Sequence, residues 1–172
     1  MRWLLAPILV LSFLGGASKA QQISDPVVLF NPHGSMADMM KLWDDDAPWS
    51  EAMKKTKVVI LLDYWINSRP IAEIKQIVEF TKRHHMTIML SIQGVVINPS
   101  DKCGSKSEGY TDPMRIGTAA KILKSLNADV SHVEVDEPLW FGTYSKDPAT
   151  CHFPLEETIR RTALGLPGCA MQ

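Results

Sequence analysis

The apolar stretch within Lys57–Trp65, with the sequence KVVILLDYW, constrains the fold more than any other feature. A strand that is apolar at successive positions is buried on both faces, which is typical of parallel sheets covered by helices. The segment IAEIKQIVEFTKRHH follows, and its apolar residues recur at helical spacing. The predicted apolar face of this helix consists of Ile71, Ile74, Ile77, Val78 and Thr81. A buried strand followed by an amphipathic helix predicts a parallel βα unit.

The same pattern occurs four times along the chain. The predicted strands are Pro26–Phe30, Lys57–Trp65, Met86–Ile92 and the HVEVDE segment that begins at His132. The predicted helices begin near Ser35, Ser68, Pro113 and Pro154. Four consecutive units predict an α/β fold with a parallel sheet and right-handed crossovers. Two architectures fit this count: a (βα)4 half of a TIM barrel, which we favour, and a small open α/β sheet.

The chain is predicted to consist of a signal peptide at residues 1–20, a (βα)4 half-barrel at residues 21–164 and an irregular tail at residues 165–172. The first segment has a basic start, an apolar run and small residues before Ala20. We therefore expect a secreted or periplasmic protein with no stable membrane anchor after cleavage. Without Arg2 and Lys19, 18 basic side chains become 16 against 19 acidic ones, and no basic stripe indicates a nucleic-acid partner.

The loops that follow the third and fourth predicted strands are long, whereas the joins from helix to strand are short. In α/β folds the functional residues gather at the carboxyl ends of the strands, where these long loops lie. Cys103 and Cys151 belong to loops at this end, and an exported protein can hold disulfides. These two cysteines are therefore the candidate pair for a bridge, which would leave Cys169 unpaired in the tail.

Adjacent carboxylates end the fourth predicted strand, in the sequence HVEVDEPLWFG. Side chains alternate along a strand, so Glu134 and Asp136 share one face and Glu137 lies on the other. Glu137 would need a bulge or a twist at the strand end to reach the same site. Strand parity therefore favours Asp136 as the inward carboxylate, and Glu137 stays a candidate beside it.

Other polar and aromatic residues are expected near the same strand ends. His33 follows the first predicted strand, whereas Asp63 and Gln93 end the second and third. Three aromatic residues lie close to the ends of the second and fourth strands: Trp65, Trp140 and Phe141. Aromatic faces pack well against the apolar C–H faces of sugar rings, so the three rings are candidate subsites. For any single ring, however, packing over the sheet or at its rim is the commoner role.

The triplet Asp136-Glu137-Pro138 at the end of the fourth strand resembles the motif of a large clan of retaining glycoside hydrolases. These enzymes are (β/α)8 barrels with Asn-Glu-Pro at that position. The resemblance implies that Glu137 is the acid/base residue, that the substrate is a poly- or oligosaccharide and that no cofactor is needed. Asp136 replaces the asparagine of the motif, and an ionised aspartate accepts hydrogen bonds but cannot donate them.

The resemblance also implies that one catalytic carboxylate is missing. In the clan the nucleophile comes from the seventh strand, and this sequence supplies four predicted strands. We expect the chain to be the front half of a longer barrel, ended by truncation or a frameshift, and to be inactive alone.

Two other functions are compatible with the sequence. The chain could be a non-catalytic carbohydrate-binding or interaction domain that uses the same strand ends as a groove. It could also be a metal-dependent barrel hydrolase such as a phosphodiesterase, with a divalent cation held by His33, Asp63, Glu134 and Asp136. Pro32-His33-Gly34 resembles the His-Arg-Gly motif of secreted glycerophosphodiesterases, although the arginine is missing.

Overall fold

The computed structural model describes residues 27–32, 36–97, 101–104 and 109–165. The predicted signal peptide, His33, Ser35, Cys169 and residues 166–172 lie outside these ranges. None of the described helices is both long enough and apolar enough to cross a membrane.

Four parallel strands form the main sheet in the order β1-β2-β3-β6. They are β1 (Val28–Phe30), β2 (Thr56–Leu62), β3 (Thr87–Gln93) and β6 (Val130–Asp136). A small second sheet pairs β4 (Val95–Val96) with β5 (Tyr110–Thr111) inside the long loop after β3. The predicted α/β class and the four-stranded parallel sheet are confirmed, and the arrangement is consistent with a small open α/β sheet.

Six α-helices and one π-helical turn accompany the strands in the described residues. They are α1 (Met36–Lys41), α2 (Ser50–Lys55), α3 (Asp63–Ser68), α4 (Ile71–Arg83), α5 (Pro113–Ser125), the π-helical turn (Trp140–Tyr144) and α6 (Leu155–Gly165). Helix α5 begins as predicted, because Pro113 occupies its first turn and the Asp112 side chain accepts a hydrogen bond from the backbone N–H of Met114.

One face of the main sheet carries the hydrophobic core. Alternate strand residues, including Val59, Leu61, Ile88 and Leu90, share a single buried cluster with apolar side chains of α4 and α5. The predicted apolar face of α4 is buried at Ile74, Ile77, Val78 and Thr81, whereas Ile71 is exposed at the first helical position. The opposite face of the sheet, with Met89, Ser91, Glu134 and Asp136, contributes Leu62 alone to this cluster in the described part of the chain.

The second strand ends earlier than the sequence predicts. It was expected to run to Trp65, but β2 stops at Leu62 and Asp63 begins α3. Both Trp65 and Ile66 are buried in the core from this helix. A helix packed inside the protein is as apolar as a buried strand, so the apolar run alone could not mark the boundary between them.

A disulfide joins the two long loops at the carboxyl edge of the sheet. Cys103 and Cys151 form it, with an S–S distance of 2.10 Å and Cα atoms 4.9 Å apart. Tyr110 reinforces the connection, because its hydroxyl donates to the carbonyl of Phe141 at 2.6 Å and accepts from the N–H of Cys151 at 2.8 Å. Burial raises the pKa of the Tyr110 hydroxyl. The bridge pairs the two cysteines that the sequence singled out.

Candidate functional site

The carboxyl edge of the main sheet brings several of the candidate residues together. Gln93 ends β3 and Asp136 ends β6, and the two are direct neighbours across the parallel pair. Ser91 and Glu134 are neighbours one step earlier on the same face. This face lies opposite the helical core, so the alternation predicted from the sequence for Glu134 and Asp136 is present in the structure.

A buried ion pair lies beside this edge. Asp63 is fully buried and accepts a hydrogen bond from Nε of Arg115 through its Oδ2 atom, at 2.8 Å. Thr111 donates to the same oxygen at 3.2 Å, and Arg115 also donates to Oε1 of Gln93 at 3.3 Å. The Oδ1 atom of Asp63 has no hydrogen-bond partner among the described residues. Arg115 thus connects Asp63, directly after β2, with Gln93 at the end of β3. Gln93 is in turn the strand neighbour of Asp136.

Asn67 holds the backbone of this ion pair in place. Its side-chain amide donates to the carbonyl oxygens of Asp63 and Arg115, each at 2.8 Å. Both residues that form the ion pair are therefore also connected through their main chains. Asp63 was expected at the rim of a pocket. Its carboxylate is instead buried, and it is paired with the guanidinium group of Arg115 rather than with solvent.

Glu137 leaves the strand in an unusual backbone conformation. Its φ is +40°, whereas Asp136 before it is the last residue of β6. A positive φ is uncommon for a residue with a side chain, and it breaks the two-residue alternation of the strand. The Glu137 side chain is exposed, while Asp136 is half-buried. The twist at the strand end that the sequence required for Glu137 is therefore present.

An apolar surface follows directly, and we call Glu137–Trp140 the carboxylate–tryptophan surface. Its four residues line one open depression. Trp140 is 52% exposed and begins the π-helical turn, whose backbone closes through the hydrogen bond from Ser145 N–H to the Trp140 carbonyl at 2.7 Å. Tyr144, at the other end of this turn, is 55% exposed. Both ends of this turn thus carry an aromatic side chain that is open to solvent, and Trp140 shares the depression with Glu137.

Two of the predicted rings do not stand at the rim. Trp65 is 5% exposed and belongs to the core cluster, because it lies on α3 rather than at the end of a strand. Phe141 is half-buried, and its ring lies against Gly109, where a β-carbon would collide with it. Gly109 has a φ of +80°, so this loop position needs glycine for its backbone as well as for the ring. Phe141 holds the loop to the π-helical turn.

Arg115 and Thr111 are parts of this edge that the sequence reading missed. A signal for Arg115 exists, since it lies in the first turn of a helix that begins after Pro113. The amino end of a helix disfavours a cation, so an arginine there indicates a nearby carboxylate partner. The carboxylate that Arg115 contacts is determined by packing between α3 and α5. Local sequence patterns do not predict that packing.

In the described part of the chain, the structure does not bring together the four residues suggested as ligands of a metal ion, which are His33, Asp63, Glu134 and Asp136. His33 lies outside the described residues, and no group of three or more His, Cys, Asp or Glu side chains in the described ranges is arranged to hold a metal ion. Asp63 instead has Arg115 as its charged partner.

Comparison with protein-family models, with curated proteins and with solved structures finds no match to this chain.

Proposed function

We propose that this protein is glycoside hydrolase-like and binds a poly- or oligosaccharide along the carboxyl edge of its sheet, with Glu137 as the acid/base residue. The observation that carries the proposal is the carboxylate–tryptophan surface, where an exposed carboxylate at a strand end adjoins the exposed ring of Trp140. A sugar presents both an apolar ring face and polar oxygens, and this surface offers a partner for each.

The order of the strands supports the finer proposal that the sheet is half of a (β/α)8 barrel. In such barrels consecutive strands are neighbours and the helices form an outer ring. The order β1-β2-β3-β6 and the helical core on one face agree with that arrangement. The opposite face, with Ser91, Gln93, Glu134 and Asp136, would then correspond to the barrel interior.

The backbone at Glu137 supports its role as proton donor. A strand-end carboxylate that continued the strand would point to the helical side, away from Gln93 and Asp136. The positive φ of Glu137 releases its side chain from that constraint and leaves it exposed beside Trp140. Asp136, held next to Gln93, would contact the same ligand as a hydrogen-bond acceptor.

Hydrolysis by the retaining route needs a second carboxylate roughly 5 Å from the acid/base residue. In the clan that this chain resembles, the second carboxylate comes from the seventh strand, and the described residues contribute four strands to the main sheet. We therefore propose that this polypeptide, exported from the cell, binds saccharide with little or no hydrolysis on its own.

Titration calorimetry with neutral oligosaccharides tests the proposal, with Glu137→Gln and Trp140→Ala as probes. Loss of the Trp140 ring removes an apolar platform, and we expect about tenfold weaker binding. Glu137→Gln keeps the shape of the side chain and should weaken binding by a smaller factor. Ile159→Ala is the matched control, because Ile159 is also an exposed apolar residue but lies on α6.

Two results separate the candidate functions. Slow release of reducing sugar that disappears in Glu137→Gln supports a hydrolase, whereas binding with no release in any variant supports a non-catalytic carbohydrate-binding domain. If neither variant binds differently from Ile159→Ala, the saccharide site is not at the carboxylate–tryptophan surface.

A further inference from the structure

A second recess lies near the ends of β1 and β2, away from the carboxylate–tryptophan surface. Its volume is about 170 Å³, well above the roughly 15 Å³ that a single water needs, so it admits a small organic group. Part of its wall is apolar and comes from Met39 and the end of β2. The polar part of its wall comes from Asn31, Tyr64, Trp65, Ser68 and Arg69.

Two hydrogen-bond donors of this wall are unused. The indole Nε1 of Trp65 and the Nε of Arg69 are both buried, and neither has a partner among the described residues. Buried polar groups in proteins are nearly always hydrogen-bonded, so two orphaned donors on one recess indicate an acceptor supplied by a bound molecule. Trp65 lies four residues before Arg69 along α3 and its end, a spacing that places two side chains on the same side of a helix.

The charge of the recess indicates the chemical class of the ligand. Arg69 is the one ionised side chain among the described residues that line it. A guanidinium group matches the planar geometry of a carboxylate, which can accept two parallel hydrogen bonds from it. The apolar wall beside Arg69 suits the ring that carries this carboxylate.

The recess is within reach of a chain that contacts Trp140. It opens at the end of β2, and β6 is two strands away in the order β2-β3-β6. Neighbouring strands are separated by about 4.8 Å, so the two strand ends are roughly 10 Å apart across the sheet. A saccharide of a few residues is long enough to span the distance between these two strand ends.

We propose that this recess binds the carboxylate of an acidic sugar, so that the saccharide recognised at the sheet edge contains uronic acid. This inference rests on the proposed function above. Arg69 and Trp65 bind the carboxylate as donors, while the carboxylate–tryptophan surface binds a neighbouring sugar of the same chain.

The test compares three probes on the full chain by titration calorimetry: an oligogalacturonate, a neutral oligosaccharide of equal length, and free galacturonate. We expect Arg69→Gln to weaken oligogalacturonate binding about tenfold or more, because a charge-assisted hydrogen bond is lost, and to leave neutral binding within about twofold. Trp65→Phe keeps an aromatic ring but removes the N–H, and it should weaken the same probe by a smaller factor.

Arg83→Gln is the control, since it removes the same charge from an exposed position on α4. Arg69→Lys is a second variant that keeps the charge but not the fork of donors, so it distinguishes recognition of a carboxylate from simple attraction. Circular dichroism spectra that match the parent protein show that each variant is folded.

The outcomes are separable. The acidic-sugar proposal is overturned if oligogalacturonate binds no tighter than the neutral chain, or if Arg69→Gln leaves its binding unchanged. The proposed function still stands in that case if Trp140→Ala weakens the binding of both chains. A third result would overturn the saccharide assignment: Arg69→Gln weakens the binding of free galacturonate, and Trp140→Ala weakens the binding of neither oligosaccharide. The recess would then be a site for a small free carboxylate. Arg69-dependent binding of oligogalacturonate together with Trp140-dependent binding of both chains supports the two proposals jointly.

Discussion

Glu137 combines a candidate chemical role with an uncommon backbone conformation. At a φ of +40° its β-carbon crowds the backbone, and such a conformation costs about 1–2 kcal/mol for a residue other than glycine. Strain of this kind persists where the surrounding structure fixes the chain, and it is often found at functional sites. Here the strand β6 before it and the π-helical turn after it leave Glu137 little freedom to relax.

The strain at Glu137 makes a prediction about stability. We expect Glu137→Gly to raise the free energy of unfolding by about 0.5–1 kcal/mol, because relief of the backbone strain exceeds the entropy that glycine adds to the unfolded chain. Urea denaturation measures this change. Glu134→Gly is the matched control, because Glu134 is in the middle of β6 and glycine there should lower the free energy of unfolding by about 0.5–1 kcal/mol. Two variants that destabilise equally would show that Glu137 is not strained.

Glu157 gives a second prediction, on acid stability. Its carboxylate accepts hydrogen bonds from Arg160 at 2.6 and 2.7 Å and from Arg161 at 2.6 Å, and these guanidinium groups lower the pKa of Glu157 to about 2. A carboxylate with a lowered pKa in the folded state stabilises the protein above its unfolded pKa, near 4.5, and this contribution is lost as the pH falls through 2.

Melting curves of the wild type and of Glu157→Gln between pH 7 and pH 2 test this expectation. The wild type should melt at the higher temperature at pH 7, and the difference should shrink below pH 4.5 and vanish near pH 2. Glu156→Gln changes an exposed neighbour on the same helix and serves as the control. A difference between wild type and Glu157→Gln that stays constant over this range would contradict the pKa assignment.

At the scale of elements, the sequence predicts the strands and helices that depend on the spacing of apolar residues and on helix caps. The strand β3, the helix α4 and the start of α5 at Pro113 follow from local patterns that the tertiary structure does not override. The cysteine pair follows from two loops that share one end of the fold. These features are encoded within short stretches, so a single sequence is enough to predict them.

Other elements depend on contacts between distant segments. Asp63 begins a helix instead of ending a strand, and in this position its carboxylate meets Arg115, 52 residues later in the chain. The β4–β5 pair arises inside a polar loop, where Val95 is completely buried and α6 packs over it. The recess lined by Trp65 and Arg69 depends on the same early end of β2. Local spacing does not say which distant residues these segments contact.

The disulfide between the two edge loops gives a prediction at this scale. It closes a loop of 48 residues, for which the loss of unfolded-state entropy corresponds to about 4 kcal/mol. We expect Cys103→Ser with Cys151→Ser to lower the free energy of unfolding by up to that amount, because the Tyr110 hydrogen bonds and the Gly104–Ala149 backbone hydrogen bond still connect the loops. Urea denaturation with and without reductant measures the loss, and the parent protein under reductant should match the double variant.

At the scale of the whole molecule, the two faces of the sheet differ. The helical core covers one face. On the other face Val58 and Ser91 are buried, Ile60 and Met89 are half-buried, and His132 and Glu134 are exposed. The strands β1 and β6 are the two edges of the main sheet. Partly apolar surface and strand edges that no other described strand pairs with both favour association with another polypeptide.

We therefore predict that the protein associates with itself in a concentration-dependent manner, which sedimentation velocity measures. Met89→Lys places a charge on the open face and should raise the dissociation constant about tenfold or more. Met114→Lys is the control, since it makes the same change at a residue that is 77% exposed on α5. A stable monomer at every concentration would contradict the half-barrel proposal.

The order of the strands also bears on how the chain reaches its folded state. Each strand of the main sheet pairs with the main-sheet strand that precedes it in the sequence, so the sheet can grow from its first strand as the chain emerges. These parallel pairs join segments that are far apart in the sequence, and such non-local pairing slows folding. The strand β6 is the last to join, and it carries Asp136 and the turn to Glu137. If the sheet grows in this order, we expect the carboxylates to take up their positions only after the other three strands have paired.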